Sequence, residues 1–267
     1  MLPCVSATTG GVRAAAFFDL DKTVIARSSS LAFSRAFRRA GLLTRRSELR
    51  SALAHVGYLL GADGTQQVER LGRVLTSLVT GWEVALVQRL VAETVHELID
   101  PIVYAEALAL IEEHRAAGRD VVIVSASGAE VVEPVGRLLG AAHVLATQLA
   151  VDDGRYTGEI ESWVHGEAKA AAVRALADEV GYDLAASWAY SDSASDLPML
   201  EAVGHPAVVN PDRAWRRTAV ARGWPVLEFR RPVRLPRRRR RVVAAAVALV
   251  ALVALAALVL PLRRGRR

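Results

Sequence analysis

The stretch Ala14-Ala15-Ala16-Phe17-Phe18-Asp19-Leu20-Asp21-Lys22-Thr23-Val24 constrains this chain more than any other. A short apolar run bounded by polar residues reads as a buried strand. It ends in two carboxylates one residue apart, which places Asp19 and Asp21 at the C-terminal end of the strand, where open α/β sheets hold their ligands. One carboxylate of such a pair can bind a divalent cation and attack an electrophile, while the other, in a different environment, carries a proton. An Asp followed by Lys-Thr is also ordinary turn or helix-cap chemistry. The rest of the chain decides between the two.

From Ser28 the pattern becomes helical. Ser28-Ser29-Ser30 offers a cap, and Leu31, Phe33, Phe37 and Ala40 follow at helical positions. Leu49 to Leu60, Val68 to Leu78 and Val84 to Leu98 repeat the spacing, with glycines between them. The spacing predicts an insert of about four helices over residues 28–99. Pro101 fits the start of a helix running towards His114. Val121 to Val124 reads as a second buried strand, with Ser125-Ala126-Ser127-Gly128 as a polar turn into a helix ending near Leu139. Strand, serine-rich turn and helix make a phosphate seat, because free N–H groups and the helix dipole both favour an anion.

Val144 to Gln148 is a third strand, and Asp153-Gly154 is a hairpin signal with Arg155 to Ile160 returning. Lys169 stands at the start of the next helix. Trp188-Ala189-Tyr190 is a strand entering Ser191-Asp192-Ser193-Ala194-Ser195-Asp196, after which a short helix closes at Gly204. Ala207 to Asn210, a helix from Pro211 to Arg222, and Val226 to Phe229 complete a β/α alternation, which argues for a mostly parallel sheet covered on both faces.

Carboxylate pair, hydroxyl, amine and second carboxylate pair thus follow in order: Asp19 with Asp21, Ser125, Lys169, and Asp192 with Asp196. This set resembles the haloacid dehalogenase superfamily of phosphatases, in particular its phosphoserine-phosphatase-like branch (subfamily IB), over about residues 13–229. The resemblance implies a Rossmann-like α/β core (residues 13–27 and 100–229) with a helical cap (28–99) inserted after the first strand. It implies that Asp19 is the nucleophile that takes the phosphoryl group as an aspartyl-phosphate, and that Asp21 protonates the leaving oxygen and then activates water. Mg²⁺ would be held by Asp19, the backbone carbonyl of Asp21 and Asp192, with Asp196 in support. Ser125 and the N–H of Ala126 would hold phosphate oxygens, and Lys169 would neutralise charge. Phosphoryl transfer needs in-line positioning and countercharge above all, and each of these roles supplies one or the other.

Two features depart from the phosphoserine phosphatase pattern. Ser28 stands where that enzyme commonly has a Glu for the substrate's amino group, and Ser191-Asp192-Ser193-Ala194-Ser195-Asp196 stands in place of Gly-Asp-Gly-x-Asn-Asp. The expectation is therefore a hydrolase of another small phosphorylated metabolite. A phosphotransferase or mutase with the same intermediate, a lipid-phosphate phosphatase, and a membrane-anchored interaction protein without activity are the alternatives these residues admit.

Composition matters most at the C-terminus. Residues 230–267 hold twelve Arg and no acid, leaving 22 of the 34 basic residues against all 28 acids in residues 1–229, a net of −6. The basic excess is a tail on an acidic body, so no nucleic-acid partner is expected. The single Cys4 allows no internal disulfide. Residues 1–12 read as a flexible lead with no signal peptide. After a basic linker at 230–241, Val242 to Leu260 is 19 residues of Ala, Val and Leu alone, and 261–267 form a basic tail. At 1.5 Å per residue the apolar run spans about 28 Å, close to the thickness of a bilayer's hydrocarbon core. It reads as a single transmembrane helix. Eight arginines before the span and four after it put the catalytic body in the cytoplasm.

Overall fold

The structure, a computed structural model, describes residues 13–43, 76, 78–230 and 232. Its centre is β1 (Ala15–Asp19), five residues that are all buried. Side chains alternate across a strand, so Ala15 and Phe17 face one side and Ala16 and Phe18 the other, and a strand buried on both faces is apolar up to the carboxylate, Asp19, at its C-terminal end. Phe17 and Phe18 have no exposed surface. Each stabilises the fold by about 1.5–3 kcal/mol through burial.

Six more strands complete the sheet: β2 (Asp120–Gly128), β3 (His143–Asp152), β4 (Arg155–Ser162), β5 (Trp188–Ser191), β6 (His205–Val209) and β7 (Val226–Leu227). Their order is β4-β3-β2-β1-β5-β6-β7. Every pairing is parallel except β3 with β4. The chain leaves β1 towards β2 and later returns to its other side with β5, so the crevice beyond the C-terminal end of β1 is a topological switch point.

Among the described residues the helices with full bounds are α1 (Ser29–Arg39), α2 (Val84–Ile99), α3 (Ala105–Ala116), α4 (Ala129–Leu139), α5 (Glu167–Val180), α6 (Leu197–Glu201) and α7 (Arg213–Ala221). One face of the sheet (Ala15, Phe17, Val122, Val124, Ala189, Val208) packs with Val173, Leu176, Met199, Leu200, Trp215 and Ala219 from α5 to α7. On the opposite face Phe18 meets His114 of α3, ring centroids 5.9 Å apart. The expected Rossmann-like α/β core is therefore present.

Within the insert, α1 begins at Ser29 with Ser28 as its N-cap. Phe33 and Phe37 of α1, and Val87, Val91, Val95 and Ile99 of α2, form the buried stripes. The two central helices expected at Leu49 to Leu60 and Val68 to Leu78 fall almost wholly outside the described residues. The hairpin, predicted from its Asp-Gly turn, is used as a dock. Asp153 and Gly154 take φ of 44° and 71°, which suits a two-residue turn of this hand. Beside that turn the Gly81 N–H donates to Tyr156 O at 2.8 Å, the Tyr156 N–H to Trp82 O at 3.1 Å, and the Val84 N–H to Gly154 O at 3.0 Å. An Arg155–Glu83 ion pair at 2.5 Å reinforces the contact.

Two expectations are corrected. Pro101 does not open the long helix: it sits in a 3-10 turn, Asp100–Ile102, and α3 begins at Ala105. Val103 is extended and bridged to Ile25, with the Tyr104 N–H donating to Val24 O at 3.0 Å, so pairing with the loop after β1 delays the helix. Ser125 to Gly128 is no turn either, since β2 runs on through Gly128. Among the described residues no helix is long and apolar enough to cross a membrane, and the run 242–260 lies outside them.

Candidate active site

Strand register explains how four segments distant in sequence converge. Asp19 pairs with Val124, so Ser125 lies just beyond it on β2; Phe18 pairs with Tyr190, so Ser191 lies just beyond on β5 and Asp192 follows the strand's end. Lys169 enters from the first turn of α5, its side chain 2% exposed. Its Nζ donates to Asp19 Oδ1 at 2.6 Å and to Asp196 Oδ2 at 2.7 Å. A compact ammonium with three donors can bridge two carboxylates in this way.

Burial pushes the Asp19 carboxyl up to about 8, Lys169 pulls it back, and Asp196 and Asp192 push it further up. For Lys169, burial works against the ammonium, and the two carboxylates beside it overcome that and hold its pKa above the ordinary range. Asp192 rises to about 6 through burial, with Lys22 lowering it and Asp196 raising it. Three carboxylates thus share one buried ammonium, and a divalent cation would balance the remainder.

No group of three or more His, Cys, Asp or Glu side chains that could hold a metal occurs among the described residues. A cation here would rest on the carboxylates of Asp19 and Asp192, a backbone carbonyl and water. That hard-oxygen set with few carboxylates suits Mg²⁺, which keeps much of its hydration. The residues present fit the ion.

Around this centre the structure adds residues the sequence did not single out. The Asp192 N–H donates to Thr23 Oγ1 at 3.0 Å, which ties the loop after β5 to the loop after β1. Ser191 Oγ donates to Asp196 Oδ2 at 2.6 Å, so Asp196 is held by both Ser191 and Lys169. The serines that replace the expected glycine and asparagine therefore build the loop: Ser193 and Ser195 hydroxyls lie 2.8 Å apart, and the Ser193 N–H donates to Ser191 Oγ at 3.1 Å. Lys22 adopts φ 62°, the left-handed region that costs most residues about 1 kcal/mol, at the turn between the two motif acids and Thr23.

Asp21 is half-buried and lies between β2 and the insert. Its Oδ1 accepts from the Ser29 N–H at 2.8 Å and its Oδ2 from Ser127 Oγ at 3.0 Å. Ser125 is buried, and its Oγ accepts from the Ser127 N–H at 3.2 Å, while Ala126 is exposed. Every position singled out from the sequence (Asp19, Asp21, Ser125, Ala126, Lys169, Asp192 and Asp196) thus lies at the C-terminal edge of β1, β2 and β5 or at the helix start beside it. His165 lies near enough for Asp196 and Lys169 to act on its charge, burial lowering its pKa first, and no hydrogen bond among the described residues assigns it a role.

The haloacid dehalogenase-like hydrolase model matches residues 16–201. The chain belongs to that family. It is an enzyme of the family's phosphatase type, as the motif set implied. It is 60% identical over 227 residues to the "Inhibition of morphological differentiation protein" of Streptomyces azureus, covering 85% of this chain and 82% of that one. It is 53% identical over 245 residues to "Probable phosphatase Rv3661" of Mycobacterium tuberculosis (strain H37Rv), covering 90% and 85%. A solved phosphoserine phosphatase, captured as an analogue of its phospho-aspartyl intermediate, superposes with a TM-score of 0.58 at 20% identity, over 83% of this chain and 95% of that one. At that identity the likeness is one of fold.

Proposed function

We propose that the protein hydrolyses a small phosphomonoester through an aspartyl-phosphate on Asp19, with Mg²⁺, and is held on a membrane by residues 242–260. The observation that carries the catalytic reading is the buried Lys169 ammonium, 2.6 Å from Asp19 and 2.7 Å from Asp196. A carboxylate that must attack a phosphate dianion needs neighbouring positive charge, and a lysine locked at its oxygen supplies part of it.

Asp19 and Asp192 would hold the Mg²⁺ together with the Asp21 carbonyl, and Asp196 would fix Lys169. When bound, the ion supplies countercharge to nucleophile and phosphoryl group. Asp19 is oriented by Lys169 for attack on phosphorus, Ser125 and the Ala126 N–H face the phosphoryl oxygens, and Asp21 gives its proton to the leaving oxygen and then takes one from the attacking water. Ser28, where phosphoserine phosphatases commonly have a Glu, offers no negative charge to a substrate ammonium, which favours a leaving group other than an amino acid.

The test is hydrolysis of p-nitrophenyl phosphate. Turnover requires Mg²⁺ and vanishes in Asp19→Asn; retained turnover in that variant refutes the nucleophile. A phosphate-release screen across sugar, nucleotide, amino-acid and lipid monoesters identifies the substrate class.

The membrane reading rests on 19 consecutive apolar residues flanked by arginines. With the larger arginine cluster on the side of the catalytic body, that body faces the cytoplasm. The full chain should sediment with membranes after an alkaline wash and a chain ending at Phe229 should not; equal partitioning refutes the anchor.

A further inference from the structure

We infer that Ser127 is a positioning residue that aims the Asp21 carboxylate at the leaving oxygen, acting as the middle member of a hydrogen-bond chain that begins on the first helix of the insert. The inference rests on the phosphatase reading above, in which Asp21 is the proton donor.

Ser127 Oγ lies 3.0 Å from Asp21 Oδ2 and 3.0 Å from Ser29 Oγ. A hydroxyl carries one proton and can accept two. The carboxylate takes the Ser127 proton, so the Ser29 hydroxyl, which is fully buried, must point its own proton at Ser127. Ser30 Oγ stands 3.5 Å away on the same oxygen. The second Asp21 oxygen is fixed independently by the Ser29 N–H at 2.8 Å. With a donor on each oxygen, the plane of the carboxyl group is set, which a single contact would not do.

The origin of this arrangement is the continuation of β2 to Gly128. A turn at Ser125 would have carried Ser127 away into the helix. Instead the Ser127 N–H donates to Ser125 Oγ at 3.2 Å, so the same residue touches both the serine that holds phosphate in the reading above and the proton donor. Catalytic groups must be held to within about 0.5 Å, and supporting hydrogen bonds do this. Because the chain starts at Ser29, Asp21 is fully oriented only while α1 sits against the core.

The leaving group provides the discriminating measurement. p-Nitrophenolate departs without a proton, whereas phenolate, with the basicity of a tyrosine side chain of about 10, departs far better with one. Single-turnover release of both phenols is compared in the full-length enzyme with Mg²⁺. Ser127→Ala should slow phenyl phosphate by about tenfold or more and leave p-nitrophenyl phosphate within about threefold, with inhibition by inorganic phosphate unchanged. Ser127→Thr, which keeps the hydroxyl, should restore phenyl phosphate cleavage. Ser29→Ala should slow phenyl phosphate in the native background and add nothing to Ser127→Ala, because its hydroxyl acts through Ser127.

Equal losses for both esters, or weakened phosphate inhibition, would make Ser127 a phosphate ligand and overturn the inference. So would a Ser127→Ala enzyme that cleaves both esters at the native rate. Thermal unfolding of each variant separates these outcomes from misfolding, which Ser127→Thr also guards against. Failure of the native enzyme to cleave either ester would instead remove the phosphatase reading, and the inference with it.

Discussion

The residue under the nucleophile strand that should respond most to pH is His114. It is 2% exposed, and both ring nitrogens are engaged: Arg119 Nε donates to Nδ1 at 2.7 Å, and Nε2 lies 2.8 Å from the Tyr190 hydroxyl. An Arg only donates, so Nδ1 must be the acceptor and the single proton sits on Nε2. A second proton would have to enter against the guanidinium. Burial first, and then the Arg119 charge, lower the pKa from its ordinary 6.5 to about 4. A depressed folded-state pKa means that the unfolded chain binds more protons between the two values. The stability contributed is therefore complete above about 6.5 and is lost as pH falls towards and through about 4. At 1.36 kcal/mol per unit, the cost is negligible at pH 7.5 and reaches about 2.5 kcal/mol at pH 4.5. His114→Gln keeps a donor and an acceptor but cannot titrate. Urea unfolding of native and variant chains at the two pH values cancels the carboxylates common to both. The variant should lose stability at pH 7.5 and regain about 2.5 kcal/mol relative to the native chain by pH 4.5. Parallel stability curves would refute the neutral-imidazole assignment. The effect would reach the active site through Tyr190, which stacks on Phe18, the neighbour of Asp19, at 4.6 Å.

Lys169→Met should abolish phosphate release and, by leaving Asp19 and Asp196 buried without their ammonium, destabilise the fold by about 3–5 kcal/mol at pH 8. Asp19 is already pushed up, so the variant's deficit should shrink as the pH is lowered and the carboxyl takes a proton; a deficit that does not change with pH would contradict the shared-charge account. Gly204→Ala should cost about 1–3 kcal/mol in urea unfolding, because its Cβ would stand 1.8 Å from the Ala185 carbonyl oxygen, a backbone atom; a neutral effect would show that the turn yields freely. Thr23→Val removes the acceptor of the Asp192 N–H and should raise the Mg²⁺ concentration needed for half-maximal turnover without unfolding the chain; an unchanged Mg²⁺ requirement would detach Thr23 from the metal site.

The alternation of apolar runs and helical stretches was sufficient for the α/β core. A strand buried on both faces needs a continuous apolar run such as Ala15 to Phe18 ahead of Asp19, and its position at the middle of a parallel sheet follows. The order of acids, serine and lysine is legible for a similar reason: few residues can supply a nucleophile, countercharge and hard oxygen ligands, and these stand at or just after strand ends or, for Lys169, at a helix start. What periodicity could not reach was whatever depends on partners distant in sequence. Val103 pairs with Ile25 and so displaces the start of α3 from Pro101 to Ala105. Gly204 could be read as a helix stop, but its lack of a side chain is required by the close approach of Ala185.

The same holds for the supporting hydroxyls. Ser191 read as a departure from the family pattern until its bond to Asp196 appeared, and Ser127 read as one more turn residue until the continued strand brought it to Asp21. A serine alone carries no record of which carboxylate its proton meets. By itself, the sequence determined the sheet's composition, the set of reactive groups and the apolar, arginine-flanked segment at residues 242–260. Only the tertiary structure decided which groups share a proton or a charge, because hydrogen bonds act over about 3 Å and that distance is set by packing, not by position in the chain.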